Sequence, residues 1–266
     1  MHSGRATVDA LEAAIRDSFG AKAFKHAHEL AIDCLAVVWG VRSATLIDTI
    51  YIDLIEARRL SRALQLLLDE PDLNVSFVYD SRTSTAFVVN LDVLRGKLSE
   101  PDPVFVQLGG LEPELLTDRP TFLTPLLERI AKPTRADLIE LDINEREIHH
   151  LVTLSGYLLD YSCAYVLSAK EPQNMTCLDK KNLVLVTAQW SFDGPETGER
   201  DLLSFSYPAQ AAEMTSGLHG RTQPEVVCNA LHRRLTSRAI EAAKNKARIV
   251  NIKVSYKVIQ LDRVAL

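Results

Sequence analysis

Between Asn74 and Asn90 the apolar residues change their period, and that change limits the possible folds more than any other feature of the chain. Upstream, Phe24, Ala27, Leu30, Ala31, Cys34, Leu35 and Val38 recur every three or four residues, one helical stripe running to Trp39 and stopped by Gly40. Then Asn74 to Asp80 and Thr85 to Asn90 alternate with period two, joined by the polar Ser81-Arg82-Thr83-Ser84. Two such runs on a short polar link read as a hairpin. A hairpin excludes an all-parallel sheet, and the helical stripes exclude an all-β body. The expectation is α/β with α+β character: a mixed sheet with hairpins, flanked by helices, as a single domain over residues 1–266.

The same periods place the other elements. Val8 to Phe19 and Leu54 to Leu68 read as helices, the second with Leu60, Leu64, Leu67 and Leu68 inward and Arg58, Arg59 and Arg62 outward. A helix lies between Pro120 and Ala131, with Thr124 expected as N-cap and Pro125 as the first helical residue. Asn144 and Glu147 have the spacing of a capping box for a helix carrying Ile148, Leu151, Val152, Leu158 and Leu159. A long helix follows Pro224 to Lys246. Strands are expected at Ala44 to Asp48, Val104 to Leu108, Cys163 to Leu167, Leu183 to Phe192, Leu202 to Tyr207 and Ile249 to Leu261. The turn formers Asp193 to Gly198 lie between two of them.

Composition excludes several classes. With 47% hydrophobic residues, 24% charged residues and a net charge of −5, the chain has enough apolar surface to fold. No run approaches the roughly 18 apolar residues of a membrane helix, and Met1 to Asp9 lacks the apolar centre of a secretory signal. A cytoplasmic location is expected, the nucleus left open, with no membrane partner. Cys34, Cys163, Cys177 and Cys228 are scattered without metal-site spacing. Charge is uneven: Arg221 to Leu266 holds ten basic and three acidic residues, net +7, leaving −12 on the rest. That asymmetry hints at an anionic partner.

Catalytic signatures are missing. Gly109-Gly110 lacks the lysine and hydroxyl residue of a phosphate loop, and there is no G-x-S-x-G elbow. His26, Glu29 and Asp33 share a helix face, but one opposite the apolar stripe; the neighbours His149 and His150 diverge by about 100° around a helix and chelate poorly. No cofactor and no metal are expected. The stronger candidates are Asp48 and Asp80, each ending a β-type run, where ligands gather in open sheets. With Asn90 and the tyrosines Tyr157, Tyr161 and Tyr165 they form a candidate pocket; turn, cap and core roles for the same residues are the commoner outcome. Arg234 and Arg238 on the last helix, with Lys253 and Lys257 on the last strand, form a candidate anion-binding surface. Aromatic residues are too sparse there for a single-strand stacking platform, so nucleic acid is disfavoured.

Several runs together resemble an uncharacterised eukaryotic family typified by a human chromosome 1 open reading frame product. They are Gly40-Val41-Arg42-Ser43-Ala44-Thr45-Leu46-Ile47-Asp48, Phe87-Val88-Val89-Asn90, Leu158-Leu159-Asp160-Tyr161-Ser162-Cys163-Ala164-Tyr165, Ser204-Phe205-Ser206-Tyr207-Pro208 and the terminal Val264-Ala265-Leu266. The third is similar to that family's Leu-Leu-Gly-Tyr-Pro followed by a tyrosine, with Asp160 in place of the glycine and Ser162 in place of the proline. The resemblance implies a single-domain intracellular protein and brings no activity or catalytic residue. The leading expectation is a non-enzymatic interaction or adaptor module with a protein or small-molecule partner. Behind it stand a small-molecule-binding protein or enzyme with a pocket at the strand ends, and weak nucleic-acid binding by the basic C-terminal segment.

Overall fold

A computed structural model describes residues 7–23, 25–67, 74–110, 112–132, 138–168, 178–192, 198–212, 220–244 and 249–262. The expectations for Cys177, for most of the Asp193 to Gly198 turn and for Val264 to Leu266 lie outside them. The fold is α+β, with helices and three small sheets. It divides into two compact units, Met1–Glu100 with Leu127–Glu145, and Pro101–Leu126 with Arg146–Leu266. No helix among the described residues is long and apolar enough to cross a membrane.

The first unit sets three helices against a four-stranded sheet. Helix α1 (Val8–Phe19) starts where Thr7 accepts a hydrogen bond from the Ala10 amide, and ends at Gly20 with φ 57°. Helix α2 (Ala27–Val38) is the apolar stripe seen in the sequence. Helix α3 (Leu54–Leu67) opens on a reciprocal box: the Asp53 amide donates to Glu56 Oε2 at 3.0 Å, and the Glu56 amide to Asp53 Oδ1 at 2.8 Å. The strands β1 (Ala44–Ile47), β2 (Val75–Asp80), β3 (Thr85–Asn90) and β6 (Leu138–Leu141) lie in the order β1-β3-β2-β6, and β6 runs parallel to β2. Ile47, Ala86, Val88, Phe77 and Tyr79 share a face by register and pack with Leu11, Ile15, Leu30, Leu35 and Leu60 of the helices. Helix α4 (Leu91–Lys97), absent from the sequence expectation, starts on Asn90 itself.

The second unit holds two three-stranded sheets. One orders β5 (Glu114–Leu116), β4 (Val104–Leu108) and β7 (Cys163–Leu167), with β4 and β7 parallel. The other is an antiparallel hairpin of β8 (Asn182–Phe192) and β9 (Arg200–Pro208) with β10 (Ile249–Gln260) added beside β8, in the order β10-β8-β9. Helix α6 (His150–Leu158) packs on β7, and Gly156 makes that approach possible, because a Cβ there would stand 3.0 Å from Ala164 Cβ. Helix α7 (Pro224–Lys244) lays Val227, Cys228, Leu231, Leu235, Ala239 and Ala242 inward and packs along β10 and β8.

Two start signals read differently in three dimensions. Helix α5 (Leu123–Ala131) begins one residue before Thr124, so Pro125 is its third residue, still in the first turn where an amide has no intrahelical partner to lose. Asn144 and Glu147 do not open α6. The chain makes a 3-10 turn at Glu145–Glu147, and α6 follows with His149 at its N-cap.

Candidate functional site

The predicted residues of the first unit fall at two ends of one sheet. β1 and β2 both run antiparallel to β3, so they point the same way, and Asp48 and Asp80 lie at the same end. Asn90 lies at the other end of β3, opposite Val75, about 16 Å along the strand at the usual rise per residue. Asn90 is spent on the backbone: its side-chain oxygen accepts from the Val93 amide and its Nδ2 donates to the Val37 carbonyl, both at 3.0 Å. Asp80 is fully buried. Its Oδ2 accepts from the Thr83 amide at 3.0 Å and from Thr83 Oγ1 at 2.7 Å, closing the hairpin turn, while its buried Oδ1 has no partner. Asp48 is exposed.

The three tyrosines, all in the second unit, occupy three different surroundings. Tyr157 is fully buried in α6, with the Arg119 guanidinium 5.5 Å from its ring centroid. Arg119 is fixed in turn by a two-pronged contact to Asp102, with Nε at 2.9 and 3.0 Å from the two carboxylate oxygens; that bond raises the arginine's pKa further. Tyr161, half-buried, stacks on Phe205 at 5.1 Å. Tyr165 lies in β7 within the cluster of Val106, Leu108, Leu167, Leu178 and Leu183.

The basic residues separate into two groups. Arg234 and Arg238, one turn apart on α7, both reach Asp160. Arg234 Nη2 donates to the Asp160 carbonyl, and Arg238 Nη1 donates to Asp160 Oδ2 at 2.9 Å. Asp160 is fully buried and holds φ 67°, the left-handed conformation that glycine adopts most easily. Asp160 therefore combines a glycine-like backbone with a carboxylate that ties α7 to the end of α6. Lys253 and Lys257 stay exposed, on the opposite face of β10 from Ile252, Val254, Tyr256 and Val258. Lys253 Nζ stands 3.9 Å from Glu199.

The concave feature of this surface lies between α7 and β10. Cys228, Asn229 and His232 of the helix and Asn251, Ile252, Lys253 and Val254 of the strand line a shallow groove of about 360 Å³. His232 Nε2 sits 3.2 Å from the Ile252 carbonyl oxygen. Farther along, the Tyr256 hydroxyl donates to Glu225 Oε1, which lowers the glutamate's pKa and raises the tyrosine's. In the sheet order β10 is an outer strand, so one backbone edge over twelve residues has no strand beside it among the described residues.

The three described cysteines are poorly placed for nucleophilic chemistry. Burial raises the thiol pKa of Cys34, of Cys228 and of Cys163, the last to about 12, and the thiol form is the unreactive one. His150 stacks on Phe122 with ring centroids 3.6 Å apart, and its pKa is lowered by burial and by the neighbouring His149. Sequence reasoning missed Arg119 and Asp102, which meet each other and Tyr157 only through the fold. Among the described residues no three His, Cys, Asp or Glu side chains cluster as a metal site.

The family model described as a domain of unknown function (DUF4504) matches residues 20–266, and the chain belongs to that family. No curated protein and no solved structure matches it.

Proposed function

We propose that this member of the family is a non-enzymatic interaction module and that its contact surface is the α7–β10 face of the second unit. The observation that carries the reading is the outer position of β10, twelve residues long with no strand beside one edge among the described residues, bordered by the groove against α7. Exposed apolar side chains lie on the same two elements: Val226 at the start of α7, and Tyr256 and Val258 on β10. A long strand edge with exposed apolar neighbours is a template for association.

Native size in cells tests this. The tagged chain should elute from gel filtration of a gentle extract well above its 29.6 kDa, and Val226→Asp/Val258→Asp should elute at the monomer position with an unchanged melting temperature. Wild type eluting as a monomer, or a variant that keeps the assembly, overturns the reading.

A second reading keeps a small-molecule pocket at the end of the first sheet. It is favoured by Asp48 and Asp80 sharing that end, and by the partnerless Oδ1 of Asp80. A metabolite that raises the melting temperature of wild type and not of Asp48→Asn would support it over the interaction reading. Nucleic-acid binding has less support, since Arg234 and Arg238 are committed to Asp160.

A further inference from the structure

We propose that the free edge of β10 accepts an acidic, extended peptide segment of a partner as an added strand. The inference rests on the interaction reading above and names the partner's chemistry. Residues of β10 alternate between two faces, and each face is chemically distinct. On one, Lys253 and Lys257 stand four residues apart with Ser255 between them, and both lysines are exposed. On the other, Tyr256 is 41% exposed and Val258 58% exposed, although residues of this parity on β8, Val184, Val186 and Ala188, are buried. An outer strand that is half-wet on its apolar side has surface left for one more strand.

The partner's pattern follows from register. A strand laid beside β10 places alternate residues on alternate faces, with facing Cβ atoms about 5 Å apart. Carboxylates belong opposite Lys253 and Lys257, a small polar residue opposite Ser255, and β-branched residues opposite Val254, Tyr256 and Val258. Glu199 holds Lys253 only loosely, at 3.9 Å, and no salt bridge to Lys257 is found among the described residues. A second copy of β10 suits the edge poorly. The antiparallel register centred on Ser255 sets Lys253 opposite Lys257 twice, and like charges directly opposed destabilise a pair. Main-chain hydrogen bonds would supply affinity and the two lysines selectivity.

The probe is the labelled heptapeptide Val-Glu-Val-Thr-Val-Glu-Val, whose pattern reads identically in parallel and antiparallel alignment, titrated with the full-length chain in low salt by fluorescence anisotropy. Saturable binding is expected, weakened roughly tenfold by Lys253→Glu/Lys257→Glu, since two exposed ion pairs together are worth about two- to thirtyfold. The same variant should gain affinity for the peptide with lysine in place of both glutamates, which shows that it is folded. N-methylation of alternate peptide amides should abolish binding. No saturation up to about 1 mM, binding indifferent to N-methylation, or binding unchanged by charge reversal overturns the proposal. So does a wild-type dimer in sedimentation equilibrium that excludes the peptide, which would assign the edge to a second copy. An assembly in cells that depends on Val226 and Val258 while the peptide fails sinks strand addition alone. A monomer in cells sinks the interaction reading itself.

Discussion

Replacing Asp160 separates backbone geometry from charge at the junction of α6 and α7. Its carboxylate is fully buried, and Arg238 Nη1 lies 2.9 Å from Oδ2, with the arginine side chain 13% exposed. Two unit charges about 4 Å apart attract by about 4 kcal/mol at an effective dielectric constant of 20, and breaking a buried pair by removing one member costs about 3–5 kcal/mol. Water reaching the partly open Arg238 reduces that loss, so Asp160→Asn should destabilise by about 2–3 kcal/mol. Asparagine keeps tolerance of φ 67° and an acceptor oxygen for Arg238. Asp160→Ala loses the carboxylate and also places a side chain with no local hydrogen bond in the left-handed region, worth about 1 kcal/mol more. Asp160→Gly loses the carboxylate but fits the backbone, so it should be more stable than alanine by about that amount. Urea unfolding at pH 7, with the midpoint and slope fitted separately, measures all three. A double-mutant cycle with Arg238→Met should return a coupling of about 2 kcal/mol. An alanine variant equal to the glycine variant would refute the backbone argument. A coupling below about 0.5 kcal/mol would refute the charge argument.

Three further outcomes follow from the packing. Arg119→Ala removes the bidentate contact to Asp102 and the cation over Tyr157 and should cost about 1–3 kcal/mol, with Arg119→Lys recovering less than half in thermal unfolding. Gly156→Ala pushes a methyl against Ala164 and should lower stability by about 1–3 kcal/mol, and a neutral effect would mean that α6 and β7 can separate without strain. His150 has a folded pKa below its unfolded value, so the unfolded chain binds that proton more readily. Stability should therefore fall as pH drops below about 6.5 toward the lowered folded value and level off beneath it, and His150→Phe should flatten that slope in melting curves.

The sequence exposes most of this architecture where a pattern is long enough to carry a period. The β2–β3 hairpin, the α2 stripe and α7 follow directly from apolar spacing. Short elements do not reach that length: β6 is four residues, β5 three and α4 seven, and each depends on neighbours for its form. Asn90 shows a second limit, because one residue ends a strand and caps the next helix, and strand alternation hides the cap. Arg234 and Arg238 show a third. Helical spacing puts them on one face, but their partner Asp160 lies 74 and 78 residues earlier, and no local pattern reports a buried charge at that distance. No single linker announces the division into two units, because the chain passes between them more than once. The proposal that both units form one domain predicts a single calorimetric transition whose enthalpy equals the van't Hoff value.

Hydrogen exchange along β10 is the most direct test of the α7–β10 surface as the place where this chain meets a partner. At low concentration in the free chain, amides from Asn251 to Ile259 should divide into two alternating classes, slow where they bond to β8 and fast where they face outward. Adding the glutamate heptapeptide should slow the outward class and leave β9 unchanged. If the outward-facing amides of β10 are already slow in the free chain, the edge is occupied and the account is wrong.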